Sequence, residues 1–149
     1  MQVRDIMSTS VVCCSPETSL PEVARMMVEH DCGEIPVVSA SGVPMGVVTD
    51  RDITCRTVAE DKNPLDMSAG DCMTTPCVTV TPETTLEACC ETLEKNRIRR
   101  VPVVDETGAC CGIVAQADIA LHAPRHETVE VVKKVSEPTT RPTSQIYGH

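Results

Sequence analysis

The sequence predicts an α+β fold made of two copies of a β-α-β-β-α unit, and three observations carry that prediction. The chain matches itself without a gap at an offset of 66 residues: Asp5–Ile53 aligns with Asp71–Ile119, and sixteen of the 49 aligned positions are identical. These include Met7/Met73, Pro16/Pro82 with Glu-Thr after each, Leu20/Leu86, Gly42/Gly108, Gly46/Gly112 and Asp52/Asp118, and the Pro-Val-Val triplets at Pro36 and Pro102 coincide. Self-similarity at a fixed offset marks a duplicated structural unit. Each copy also carries apolar residues at helical spacing, and each carries two β-rich runs joined by a short Gly-containing turn.

Each copy opens on a short extended run before a proline, Val11–Cys13 in the first and Cys77–Val80 in the second. A helix follows in the first copy, with Leu20, Val23, Ala24, Met27 and Val28 at i, i+3, i+4, i+7 and i+8. The second copy repeats the stripe as Leu86, Cys89, Cys90 and Leu93, so two cysteines stand where Val23 and Ala24 do. Two strands come next, Ile35–Ser39 and Met45–Thr49, turning at Ala40-Ser41-Gly42; their equivalents are Val101–Asp105 and Cys110–Ala115, turning at Glu106-Thr107-Gly108. A last helix is expected near Asp50 and near Gln116. The implied organisation is repeat 1 over residues 3–58, a polar linker over 59–70, repeat 2 over 71–122 and an extension over 123–149. Neither repeat is large enough for a comfortable core alone, so the two are expected to pack pseudo-symmetrically, sheet against sheet, as one module. In the extension, Val129, Val132 and Val135 could form one helical stripe, and the Pro- and Thr-rich run from Ser136 is expected to be flexible.

Composition narrows the function. The chain has no Phe, no Trp and one tyrosine, Tyr147, so it lacks an aromatic platform on which successive bases could stack. A formal charge of −9 also argues against a nucleic-acid partner. There is no apolar run long enough to span a membrane and no apolar core of an export signal near Met1, which predicts a cytoplasmic protein with no membrane partner. The ten cysteines include three vicinal pairs but no C-x-x-C spacing, so the usual zinc and dithiol signals are missing. Most sit where a small hydrophobe would serve, and a buried free cysteine behaves as one. His122 and His126 are four apart, but Pro124 lies between them and no carboxylate or thiol ligand accompanies them, so no metal site is expected.

The stretch Gly46-Val-Val-Thr-Asp-Arg-Asp-Ile53 and its counterpart Gly112-Ile-Val-Ala-Gln-Ala-Asp-Ile119 are the candidates for chemistry. In each, a strand runs into the first turn of a helix. That brings backbone N–H groups, a hydroxyl (Thr49) and a carboxylate (Asp52) to one sheet edge, a combination able to hold a ribose beside a phosphate. Thr49-x-x-Asp52 is equally a capping box. The second copy weighs against a purely capping role, because Ala115 cannot cap by side chain while Asp118 is still present.

These ordered, duplicated motifs resemble a tandem pair of CBS domains, the Bateman module. The resemblance covers about residues 3–122 and rests on Asp-Ile-Met at 5–7, Pro-Glu-Thr at 16–18 and 82–84, Ile-Pro-Val-Val and Val-Pro-Val-Val, and the two strand-to-helix stretches. The chain is similar to the small stand-alone bacterial members, including the hypoxic response type. The resemblance implies two pseudo-symmetric clefts between the repeats, assembly as a homodimer, and adenosine-containing ligands such as AMP, ADP, ATP, NAD or S-adenosylmethionine, with no obligatory cofactor. It further implies that Thr49 and Asp52 hold a ribose in the first cleft, and that Asp118 does so in the second without a hydroxyl at Ala115. The first cleft is therefore expected to be the stronger. Adenine would sit near Val12, Cys14, Ile35 and Pro36, with Val101 and Pro102 as the equivalents. The position that often faces phosphate in the family holds Glu34 in the first repeat and Arg100, beside Arg99, in the second. The function so implied is regulatory, acting on dimer geometry or on a protein partner of unknown identity. Catalysis is not expected, since no Cys/His or Ser/His constellation forms. A structural or thiol-based stress protein with empty clefts is the alternative.

Overall fold

The computed structural model describes residues 1–123 and 125–138 of the chain. Its elements are α1 Leu20–His30, β1 Glu34–Val38, β2 Pro44–Thr49, α2 Asp50–Arg56, α3 Ala69–Cys72, α4 Leu86–Asn96, β3 Arg100–Val104, β4 Cys110–Ala115, α5 Gln116–His122 and α6 Arg125–Val135, with 3-10 turns at Val3–Asp5, Val58–Glu60 and Pro64–Asp66. They gather into two compact units. One is Val12–Cys77; the other joins Met1–Val11 to the described residues from Val78 to Pro138.

Each unit is built on one antiparallel hairpin. β1 pairs with β2 in the register Glu34↔Thr49, Ile35↔Val48, Pro36↔Val47, and β3 with β4 in the register Arg100↔Ala115, Val101↔Val114, Pro102↔Ile113. The turns close through Gly42 and Gly108, whose φ of 83° and 84° lies where a side chain is strained. The helices ahead of the hairpins start at Ser19 and Thr85, whose hydroxyls accept from the N–H groups of Glu22 and Ala88, and stop at Asp31 and Arg97 in the left-handed region. The first expected strand of each repeat is reduced to one parallel bridge, Cys14↔Val37 and Val80↔Val103. The chain turns away within a few residues, where Thr18 Oγ1 accepts from Ser15 N and Thr84 Oγ1 from Thr81 N, both at 3.0 Å.

Short segments ahead of each repeat complete the units. Residues 67–70, expected in the linker, hydrogen-bond along the start of α1: Leu20 N donates to Met67 O, Ala69 N to Thr18 O and Gly70 N to Pro16 O. Ala69 and Cys72 are fully buried. Thr74 then exchanges two backbone hydrogen bonds with Val47 of β2. In the other unit the N-terminus plays this part, as Leu86 N donates to Met1 O, Val3 N to Thr84 O, and Ser8 exchanges two bonds with Ile113 of β4.

The two helical stripes differ in depth. Leu86, Cys89, Cys90 and Leu93 of α4 are all buried, but on α1 only Leu20, Val23 and Met27 are; Ala24 is exposed and Val28 is 83% exposed. The reason is α6, which packs on α4 and contributes Val131 and Val135 to the same apolar cluster as Cys90. The stripe on α6 is therefore Val131 and Val135, four apart, rather than the expected Val129, Val132 and Val135; Val129 and Val132 flank it and are exposed. α5 ends at His122 and α6 begins at Arg125, so no single helix carries His122 and His126. The expected flexible run lies beyond Pro138 for the most part, outside the described residues.

Candidate ligand-binding corners

In the first repeat β2 ends at Thr49, which is also the N-cap of α2. Asp52 N donates to Thr49 Oγ1 at 3.0 Å and Thr49 N donates to Asp52 Oδ2 at 3.0 Å, so the capping box is real. Capping uses only one carboxylate oxygen. The other, Oδ1, accepts from Thr74 Oγ1 at 3.1 Å and lies 3.7 Å from Arg56 Nε, while an Arg56 Nη also donates to Thr74 Oγ1 at 3.5 Å. The Asp52 side chain is 16% exposed. Its oxygens are thus held from two elements, α2 itself and the segment after α3.

The second corner is simpler. Ala115 N donates to Asp118 Oδ2 at 2.7 Å. Half of the capping box survives without a hydroxyl, so the absence of a side-chain cap at Ala115 does not free Asp118 from capping, contrary to the sequence argument. The equivalent of Thr74 is Ser8 and that of Arg56 is His122. Ser8 keeps the backbone pairing to β4, and His122 turns back so that Nδ1 lies 2.9 Å from the Asp118 carbonyl. Among the described residues no donor reaches Asp118 Oδ1.

The remaining sequence candidates fall in the same two units. Val12, Cys14, Ile35 and Pro36 share the unit of Asp52; Arg99, Arg100, Val101 and Pro102 share that of Asp118. Ile35 and Val101 are 0% exposed, so neither presents surface to a ligand in this conformation. The Cys14 and Pro36 main chains are engaged with the bridge, Cys14 N donating to Pro36 O and Val38 N to Cys14 O; Val12 is half-buried on the same core. Arg100 sits across the hairpin from Ala115, and Gln116 N donates to Arg99 O, which places both arginines beside the Asp118 corner. The register partner of Thr49 is Glu34, so the two corners carry opposite charge at this position. Arg56 and Thr74 were not singled out from the sequence. Arg56 could have been, lying one helical turn after Asp52; Thr74 could not, since its contact depends on the path of the segment after α3.

Four of the thiols are held away from the thiolate form. Burial pushes the Cys14 thiol, with Glu22 adding to it, and the Cys89 thiol up to about 11. Cys72 is raised chiefly by burial and then by Asp71, Arg56 opposing, and Cys111 by burial and Asp105.

Two strand-to-helix corners, each with a carboxylate pinned at the third position of its helix and repeated once along the chain, define a duplicated α+β module. The CBS domain family model matches residues 3–56 and 69–125, and the chain belongs to that family as a CBS pair. It is 34% identical to Hypoxic response protein 1 of Mycobacterium tuberculosis over 135 residues, covering 91% of this chain and 94% of that protein. A crystal structure of Hypoxic Response Protein I with two coordinated zinc ions superposes with a TM-score of 0.76 at 33% identity, over 83% of this chain and all of that one. The CBS domain pair of protein MJ0100, in complex with 5′-methylthioadenosine and S-adenosyl-L-methionine, superposes with a TM-score of 0.73 at 26% identity, over 81% and 94% of the two chains.

Proposed function

We propose that this CBS pair is a non-catalytic regulatory module that binds an adenosine-containing ligand of the AMP, ADP, ATP, NAD or S-adenosylmethionine class, with the ribose on Asp52 or Asp118. The observation that carries this reading is the second corner: a backbone-anchored carboxylate whose other oxygen has no donor among the described residues stands beside Arg99 and Arg100. A ribose diol would donate to that oxygen, and a guanidinium would meet a phosphate. The adenosyl ligands of the MJ0100 pair support the ligand class. Zinc is not part of the proposal, because among the described residues no three His, Cys, Asp or Glu side chains are grouped to hold a metal. No helix among them is long and apolar enough to cross a membrane, and the proposed setting is the cytoplasm. The proposal extends to a homodimer whose contact draws on exposed apolar side chains such as Val28, Leu121 and Val129, since the α4 stripe and Leu20, Val23 and Met27 of α1 are buried within their own units. Thermal shift with AMP, ATP, NAD and S-adenosylmethionine, with and without reductant, tests the reading. At least one ligand is expected to raise the melting temperature, and the rise should vanish in an Asp52→Asn/Asp118→Asn protein. No shift with any of the four would overturn it.

A further inference from the structure

The two corners are built on one backbone plan but are not equally open, and the difference lies in two side chains. Thr74 and Ser8 occupy equivalent places, each fixed by two backbone hydrogen bonds to the adjacent strand. Only Thr74 turns its hydroxyl onto the neighbouring carboxylate, 3.1 Å from Asp52 Oδ1. Arg56 and His122 are likewise equivalent. Arg56 lies 3.7 Å from Asp52 Oδ1 and also donates to Thr74 Oγ1, whereas the His122 ring is engaged with the Asp118 main-chain carbonyl. Asp52 therefore has a capping donor on one oxygen and a hydroxyl with a guanidinium on the other. Asp118 has the capping donor alone.

We infer that Thr74 and Arg56 form an internal latch that competes with a ligand diol for Asp52, so that the Asp118 corner fills first and the Asp52 corner only when its latch is displaced. The inference rests on the ribose-binding reading above and adds the residues that rank the two corners. A hydroxyl donating to a carboxylate is the same chemistry a ribose would offer, and an oxygen that accepts two hydrogen bonds already has Thr74 at 3.1 Å and Arg56 at 3.7 Å, so a ribose hydroxyl there must displace one of them. Thr74 is suited to this part because its position is set by the main chain and costs nothing further to order. Arg56, one helical turn along α2, partly neutralises Asp52 and holds the Thr74 oxygen from the other side. The latch is specific to this corner because Ser8 and His122 make no such contact with the Asp118 carboxylate among the described residues.

The test uses calorimetry with AMP in an Asp118→Asn background, which leaves the Asp52 corner to report alone. Thr74→Val keeps the shape and both backbone bonds while removing the competing hydroxyl. It is expected to tighten AMP binding about tenfold, the worth of one hydrogen bond to a charged acceptor, and Arg56→Gln should tighten it by less. In the otherwise unchanged chain, Ser8→Thr with His122→Arg should install the latch beside Asp118 and weaken AMP. Affinity for AMP that is unchanged or weaker in Asp118→Asn/Thr74→Val would overturn the latch and leave the ribose reading standing. If Asp52→Asn does not alter AMP binding in the Asp118→Asn background, or no variant binds AMP, the ribose reading at this corner fails and the latch falls with it.

Discussion

The carbonyl oxygen of Thr74 lies 2.6 Å from the point where an alanine at position 46 would carry its Cβ. Gly46 is buried in β2, and its missing side chain is what lets the segment after α3 come close enough for Thr74 to pair with Val47 and reach Asp52. The requirement is steric, not conformational. Gly112 stands in the same relation to the N-terminal segment, but its nearest neighbour is the flexible Met7 sulfur at 2.8 Å, with the Ser8 carbonyl at 3.1 Å.

Gly46→Ala should therefore cost more than Gly112→Ala. A Cβ against a backbone carbonyl forces the chain to move, and overpacking of this kind costs about 1–3 kcal/mol. Met7 can swing aside, which leaves Gly112→Ala near the lower end. Urea unfolding of the two variants checks the order; equal costs would mean that the segment after α3 yields as easily as a methionine side chain.

A second prediction follows from Cys89, fully buried on α4 at the place Val23 holds on α1. Cys89→Val restores the residue of the other repeat and should change stability by less than about 1.5 kcal/mol. Cys89→Ser puts a hydroxyl into the same apolar cluster and should destabilise by about 1–3 kcal/mol. A serine variant as stable as the valine one would show that the site is wetter than its burial indicates.

Thiol reactivity gives a third. Cys14, Cys72, Cys89 and Cys90 are buried, and Cys14 and Cys89, pushed up to about 11, carry almost no thiolate at pH 8. Mass spectrometry after brief native labelling should find these four unmodified. Because the folded values of Cys14 and Cys89 are raised, the stability linked to their neutral form is complete below the ordinary thiol range and is lost as pH climbs towards 11. Fast labelling of all ten would favour the thiol-based alternative.

Much of the fold was legible because the duplication let each repeat check the other. The β4 boundaries, the starts of α2 and α5 and the Gly42 and Gly108 turns follow from local spacing and turn chemistry. What could not be read came from tertiary partners. Ala24 and Val28 look like core from their period, yet α1 lacks the covering helix that buries Cys90 on α4. Ala69 reads as linker, yet it is fully buried core. At the site, Thr49-x-x-Asp52 was visible, while the engagement of its second oxygen by Thr74 was not, since the two residues are 22 apart.

Acid should be felt at the turn between β3 and β4. Asp105 Oδ1 accepts from Thr107 N at 2.8 Å, Thr107 Oγ1 at 2.6 Å and Ala109 N at 3.2 Å, and these bonds hold its carboxyl below the usual aspartate range. A lowered folded value means that the linked stability is present above the unfolded value and is lost as pH falls through the folded one. Asp105 is exposed, so the effect is small. Comparing Asp105→Asn with the parent from pH 6 down to pH 2 should show a flatter acid limb in the variant; identical limbs would remove Asp105 from the acid response.

The last prediction ranks the corners by calorimetry with AMP and adenosine. Sequence alone placed the first corner ahead, because it keeps both Thr49 and Asp52. The inferred latch gives the opposite order: Asp52 is already engaged on both oxygens, whereas Asp118 is anchored through one, and Arg100 is the register partner of Ala115, which caps the helix of Asp118. Asp118→Asn should then weaken AMP by about tenfold or more, the loss of about 1.4 kcal/mol, and Asp52→Asn should weaken it less. Arg100→Ala should lower the affinity for AMP but not for adenosine, because a guanidinium acts on the phosphate and not on the nucleoside. Two outcomes count against this account. A larger loss in Asp52→Asn than in Asp118→Asn would restore the order read from the sequence, and an equal loss of AMP and adenosine in Arg100→Ala would mean that Arg100 shapes the corner without meeting phosphate.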